Sequence, residues 1–208
     1  MKTKKMTWSA GLLMMVVLAG GVNSASANLL LNGSFEEPVL GPDQDRTSTV
    51  TNWVDATYDR VAKGSLYGGA PDGNQLAEVI GMMVQSPGIQ LVAGTTYKLT
   101  FLTRDMDPAV DSENVGCIYM TDTSTSTNQV THLASKAVET DTTWASGECQ
   151  FTCDPTQAGK YMVVMLGTTS WSGYSLFDNV VLTPEPASMF LLATGGLMML
   201  RRRGQHLA

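Results

Sequence analysis

Apolar and polar residues alternate most clearly between residues 96 and 104, where Tyr97, Leu99 and Phe101 point one way and Thr96, Lys98 and Thr100 the other. A period of two sends successive side chains to opposite faces, so this segment reads as a strand with one face in a core. Tyr161, Val163 and Met165 alternate instead with Met162, Val164 and Leu166, apolar on both sides. That pattern predicts a central strand, or one whose outer face is covered. Helical periodicity is scarce after residue 28, while strand signals recur at short intervals with Gly, Asn, Asp, Thr and Pro between them. The candidate strands are 29–31, 53–57, 74–80, 82–91 broken near Pro87, 96–104, 115–122, 142–153, 161–167 and 176–182. About eight or nine antiparallel strands at this spacing predict an all-β fold, a jelly-roll β-sandwich of two antiparallel sheets.

The two ends follow a different logic. Lys2, Lys4 and Lys5 form a basic start, residues 11–22 an apolar middle, and Ala25, Ser26 and Ala27 the small residues of a signal-peptidase site. Residues 1–27 are therefore expected to be a signal peptide, leaving a mature chain that starts at Asn28. At the other end Pro184, Glu185 and Pro186 precede an uncharged apolar stretch, 187–200, and then Arg201, Arg202 and Arg203. As a helix the stretch covers about 21 Å, short of the ~30 Å hydrocarbon core, which suits transient membrane residence with local thinning. The arginines hold its C-terminal side in the cytoplasm. The prolines keep Glu185 extended, as a processing cleft requires.

A signal peptide, an exported domain and a C-terminal Pro-Glu-Pro, apolar stretch and Arg cluster resemble the PEP-CTERM class of exported bacterial proteins. The resemblance implies an exosortase that recognises Pro184, Glu185 and Pro186 and processes the tail, with Arg201 to Arg203 as the retention charge. It divides the chain into 1–27, a domain at 28–183 and a sorting signal at 184–208. The implied location is the cell surface or extracellular matrix of a Gram-negative-type bacterium, after transient anchoring in the inner membrane.

Without residues 1–27 and 187–208 the chain keeps seven basic and nineteen acidic residues, a net charge of −12. Phosphate binding rests on clustered Lys and Arg, so nucleic acid is excluded as a partner. Cys117, Cys149 and Cys153 sit in an exported context. On one strand, Cys149 and Cys153 lie roughly 13 Å apart and cannot pair. Cys117 with Cys149, or with Cys153, would make a cross-strand bridge; three buried small apolar residues is the other reading.

A second resemblance is carried by residues 28–36 (Asn-Leu-Leu-Leu-Asn-Gly-Ser-Phe-Glu), 94–97 (Gly-Thr-Thr-Tyr), Trp144 before a strand, and 177–180 (Phe-Asp-Asn-Val). In order and spacing they look like the galactose-binding-like β-sandwiches of many carbohydrate-binding modules. The resemblance implies that the first and last strands lie close and hold a structural Ca²⁺, with Glu36 and Asp178 on the matching positions. Two carboxylates and loop carbonyls can supply the six to eight oxygens calcium prefers. Asp178 is expected on the same strand face as Val180 and Leu182. The alternative is a turn cap at Asp178 and a solvated Glu36.

Sugar binding needs exposed rings to stack on pyranose faces. Tyr58 and Tyr67 in a Gly-rich segment, and Trp171 and Tyr174 before the last strand, are the loop candidates, with folding back onto the core as their other role. Trp53 and Trp144 match core positions of the fold and are read as packing. The acid pairs Asp105/Asp107 and Asp111/Glu113 are read as solvating a loop rather than as a hydrolytic pair. No nucleophile elbow, zinc motif or phosphate loop occurs in the sequence. The expectation is a noncatalytic exported surface or matrix protein associated with exopolysaccharide, with exosortase and signal peptidase as partners; a dedicated carbohydrate-binding module is the alternative.

Overall fold

A computed structural model describes residues 27–55, 59–107, 113–127, 131–168 and 174–185. Its strands are β1 Arg46–Thr47, β2 Val54–Asp55, β3 Arg60–Lys63, β4 Gln75–Val79, β5 Met82–Gln85, β6 Thr96–Asp105, β7 Glu113–Thr121, β8 Thr131–Glu139, β9 Ala145–Thr152, β10 Tyr161–Thr168 and β11 Ser175–Glu185, with one 3₁₀ turn at Gly64–Tyr67. They form two antiparallel sheets, β1-β3-β4-β11-β6-β9 and β2-β5-β10-β7-β8. The expected two-sheet sandwich is therefore present. Among the described residues no helix is long and apolar enough to cross a membrane. The signal segment up to residue 26 and the apolar stretch 187–200 lie outside the described residues.

The sheets face each other across one apolar core. Tyr97, Leu99 and Phe101 of β6 point into it, and so do Met162, Val164 and Leu166 of β10, Ile118 of β7 and Phe177 of β11. The Phe101 ring is wedged between the sheets so closely that a Cβ on Gly147 or Gly116 would lie 2.2 or 2.3 Å from it. A side chain at either position would have to displace that ring. Trp53 is a core residue, as expected, its ring centroid 5.5 Å from that of Phe35. β10 is the middle strand of its sheet, between β5 and β7, and its side chains are buried on both faces, Val163 on one and Met162, Val164 and Leu166 on the other.

The segment before β1 runs beside the last strand. Leu29 N donates to Leu182 O and Val180 N to Gly33 O, while the Asn28 side chain bonds Val180 O and Leu182 N. A Cβ on Gly33 would fall 2.1 Å from Val180 O, so this close approach needs glycine.

A bulge in β11 changes one expectation. Asp178 pairs with Leu102 and Val181 with Thr100, which sets Asn179 and Val180 against a single residue of β6. Asn179 takes the left-handed conformation, φ 48°. The bulge shifts the alternation by one, so Phe177 and Val180 both enter the main core while Leu176 packs in a second cluster on the outer side of the sheet. Asp178 accordingly lies on the Leu176 side, opposite to Val180 and Leu182. β11 also continues through Pro184 and Glu185, paired with Tyr97 and Thr96.

Cys117, Cys149 and Cys153 are all buried free thiols, so the bridge between Cys117 and Cys149 is not formed. The neighbours of Cys117, Gly116 and Ile118, face the core, so Cys117 faces the outer side of its sheet beside Tyr119, while Cys149 lies in the core with its Sγ 3.8 Å from Gly116 O. The backbone of β7 stands between the two sulfurs. Burial pushes the Cys149 thiol up to about 12.

Candidate functional site

The crossings β2–β3, β4–β5, β6–β7, β8–β9 and β10–β11 each link one sheet to the other, and antiparallel pairing brings all five to one end of the sandwich. Near that end the outer face of the six-stranded sheet carries a polar and aromatic row. Register places Arg60 opposite Glu78, Glu78 opposite Leu176, and Leu176 opposite Arg104. Trp144, one residue before the Ala145 that pairs with Thr103, continues the row. Four interstrand steps span about 19 Å.

The centre of this row is Glu78, whose side chain is 1% exposed. Arg46 Nε donates to its Oε1 at 2.8 Å, and Tyr67 Oη donates to the same oxygen. Arg60 Nε lies 2.6 Å from Oε2 without the alignment of a hydrogen bond, so that contact is ionic. Arg46 Nη2 also donates to Tyr67 Oη at 2.7 Å. Burial, and then the bond to Glu78, raise the Tyr67 phenol above its usual value, which keeps it protonated and donating. Each guanidinium also lies near a ring face: Arg46 on Tyr67 at 5.9 Å, Arg60 on Tyr174 at 4.7 Å and Arg104 on Trp144 at 5.8 Å.

The chain reaches this arrangement because the loop between β3 and β4 folds back over the sheet. Its 3₁₀ turn lays Tyr67 and then Ala70 against Ala62, Leu76 and Leu176, a small apolar patch that Met106 and Trp144 also cover. Arg104 Nη1 donates to Tyr67 O at 3.0 Å and fixes the loop from the far side. Beside the row, Thr100, Leu102, Ser146, Glu148 and Asn179 line a shallow hollow of about 240 Å³.

Of the four aromatic residues expected to meet a ligand, Tyr67 and Tyr174 share this face, and Tyr58 and Trp171 lie outside the described residues. Trp144, read as packing, packs against the outer cluster and is half-buried rather than part of the main core. The three arginines went unremarked in the sequence, where they are 14 and 44 residues apart. Asp105 also departs from its reading as a solvated loop acid. It is buried at the end of β6 and accepts a hydrogen bond from Asn114 Nδ2 at 3.1 Å.

Two residues along β11 from Leu176, on the same face, is Asp178, which was read with Glu36 as a calcium ligand. Glu36 Oε1 accepts from the backbone N–H groups of Asn74 and Gln75, at 2.8 and 2.7 Å. Asp178 accepts from Asp72 N at 2.8 Å and Asn179 N at 2.7 Å. One loop, 72–75, thus joins the two carboxylates. Gly73 makes its turn at φ +83°, and a Cβ there would stand 2.4 Å from Glu36 Oε1. Asp178 is fully buried, and its carboxyl is pushed up to about 7, chiefly by desolvation and further by the charges of Asp72 and Glu36. A buried acid with acidic neighbours suits a cation. Among the described residues, however, no three His, Cys, Asp or Glu side chains form a group that could hold one, so backbone oxygens would have to complete a shell.

Of the other expected positions, Ala27 is the first described residue and is exposed, Pro184 and Glu185 end β11, and Ala25, Pro186, Arg201, Arg202 and Arg203 lie outside the described residues.

No protein-family profile matches the chain, and no curated protein matches it in sequence. Solved structures do match. A Stig cyclase from Fischerella sp. TAU, solved in complex with (3Z)-3-(1-methyl-2-pyrrolidinylidene)-3H-indole, superposes with a TM-score of 0.62 at 21% identity, covering 78% of this chain and 99% of that one. The CBM22-1 xylan-binding domain from Paenibacillus barcinonensis Xyn10C gives 0.52 at 15% identity, covering 76% and 95%. The chain shares the two-sheet β-sandwich fold of both structures. One of these two neighbours is a cyclase and the other a sugar-binding domain, so the shared fold leaves the activity to be argued from the site.

Glu78 is not placed for glycoside hydrolysis. Glycoside hydrolysis needs a carboxyl group free to give or take a proton and a second one across a cleft. Glu78 has both oxygens engaged by cations and a phenol, and its neighbours in the row are arginines and apolar side chains.

Proposed function

We propose that this chain is a noncatalytic, exported glycan-binding module whose ligand lies across the outer face of the six-stranded sheet. The observation that carries the reading is the row of Arg60, Glu78, Arg104 and Trp144 with Tyr67 and Tyr174 beside it. Rings packed against the sheet supply stacking area at little entropic cost, and guanidinium groups fixed against them supply directed donors for sugar oxygens. Of the roles the sequence leaves open, this geometry favours the binding module over a purely structural matrix protein. Affinity electrophoresis of the mature domain through a panel of neutral and acidic polysaccharides tests it. Retardation by at least one polymer, reduced in both Tyr174→Ala and Trp144→Ala, is the expected result; equal migration of all three proteins in every gel refutes it.

Export and sorting are part of the same reading and rest on the sequence of the two ends. Signal peptidase would cut after Ala27, and an exosortase would act at Pro184, Glu185 and Pro186 while Arg201, Arg202 and Arg203 hold the tail at the inner membrane. The mass of the protein recovered from its native host decides this, since a chain intact at both ends rules it out. A structural Ca²⁺ held by Glu36, Asp178 and carbonyls of the loop at 72–75 would compensate the buried Asp178 carboxylate and tie the first segment to the last strand.

A further inference from the structure

Residues 28–183 contain three arginines, Arg46, Arg60 and Arg104, and all three meet on the outer face around Glu78. In a domain with seven basic and eighteen acidic residues, a net charge of −11, this is a local reversal of sign. The row and Arg46 beside it hold three guanidinium charges against the single carboxylate of Glu78, and Glu78 pairs with only two of them. Arg104 bonds backbone oxygens of Tyr67 and Asp105, and among the described residues it has no carboxylate within ion-pair distance. The exposed Asp141 feels its charge at longer range. Arg46 and Arg60 keep 39% and 32% of their side chains exposed, so their outer N–H groups remain open to solvent.

Holding one buried anion needs fewer cations than are present. A guanidinium presents two parallel N–H groups, a fork that matches a carboxylate or sulfate in plane, and partial burial against a ring strengthens such a bond. The acidic remainder of the surface repels polyanions everywhere else and so directs them to this strip.

We propose that the glycan bound here is anionic, its carboxylate or sulfate groups seated on Arg104 and on the outer edges of Arg46 and Arg60 while sugar rings lie on Tyr174 and Trp144. This deepens the glycan-binding reading and depends on it. The test compares the mature domain on polygalacturonate, on its carboxyl-reduced neutral counterpart, and on carrageenan beside desulfated carrageenan. Binding should be at least about tenfold tighter to the charged member of one pair, should fall as salt shortens the screening length, and should drop roughly tenfold in Arg104→Gln, the loss of one charge-assisted contact. Arg104→Gln leaves the Glu78 pairs in place and should melt within a few degrees of the parent. Which pair discriminates tells carboxylate from sulfate. Equal or tighter binding to the neutral members overturns the anionic ligand and leaves the glycan-binding module standing. No binding to any polysaccharide overturns both.

Discussion

Substituting Arg60 by alanine removes one of two cations from a carboxylate that has almost no contact with water. Glu78 is 1% exposed, and its Oε2 faces only the Arg60 guanidinium at 2.6 Å among the ion pairs of this face. Breaking a buried pair by deleting one partner costs about 3–5 kcal/mol, because the surviving charge keeps its desolvation penalty without its compensation. Two features pull the figure down: Arg46 and Tyr67 still hold Oε1, and the Arg60 side chain is 32% exposed, so solvent screens it from one side. The expected loss is therefore about 2–3 kcal/mol. Urea unfolding followed by tryptophan fluorescence measures it. Glu78→Gln should cost less, since the two arginines it abandons reach water, and the double variant should be more stable than the sum of the two losses predicts by about 1–2 kcal/mol. Additivity within about 0.5 kcal/mol would refute the idea that Arg60 compensates a buried anion. Glu78→Gln also makes the row more cationic, so it should tighten binding of an anionic glycan while Arg60→Ala weakens it.

Other outcomes follow from the same structure. Asp178 has a folded pKa of about 7 against 3.8 ordinarily, so without metal its contribution is fully present below pH 4 and is lost as pH rises toward 7, by up to about 4 kcal/mol; the stability gap between the parent and Asp178→Asn in EDTA should follow this slope, and millimolar calcium should flatten it. A gap independent of both pH and calcium would count against the cation site. Gly73→Ala meets a positive φ and the Glu36 carboxylate together and should cost about 2–3 kcal/mol, visible as a lower urea midpoint. The three thiols should resist a thiol reagent in the native protein and react fully in denaturant without prior reduction, because each is buried and unbridged; two unreactive sulfurs in denaturant would mean a disulfide.

Much of the sandwich was legible. β6, β7, β10 and the centre of β11 announce themselves by alternation or by apolar runs, because a strand packed on a core repeats its environment every two residues. β8 is not legible, since an edge strand with only Val138 fully buried carries little apolar signal and reads as loop. β1 and β3 are not legible because two and four residues are too few to show a period. Tyr67 and Tyr174 were found as aromatic residues in loops, and what they stand against was not. The bulge at Asn179 also escaped, and it alone decides which side of the sheet Asp178 occupies.

What the chain order determines here is local: the strand period, the glycine and proline breaks, the acid excess, and the character of the two ends, all of which depend on residues within a few positions of one another. What only tertiary structure decides is coincidence. Arg46, Arg60, Glu78, Arg104, Trp144 and Tyr174 come from four strands and two strand-flanking positions, and nothing in their spacing marks them as neighbours. They meet because sheet order places β3, β4, β11, β6 and β9 side by side, and because hydrogen-bonded register, set by burial of the opposite face, brings their outward side chains into one row.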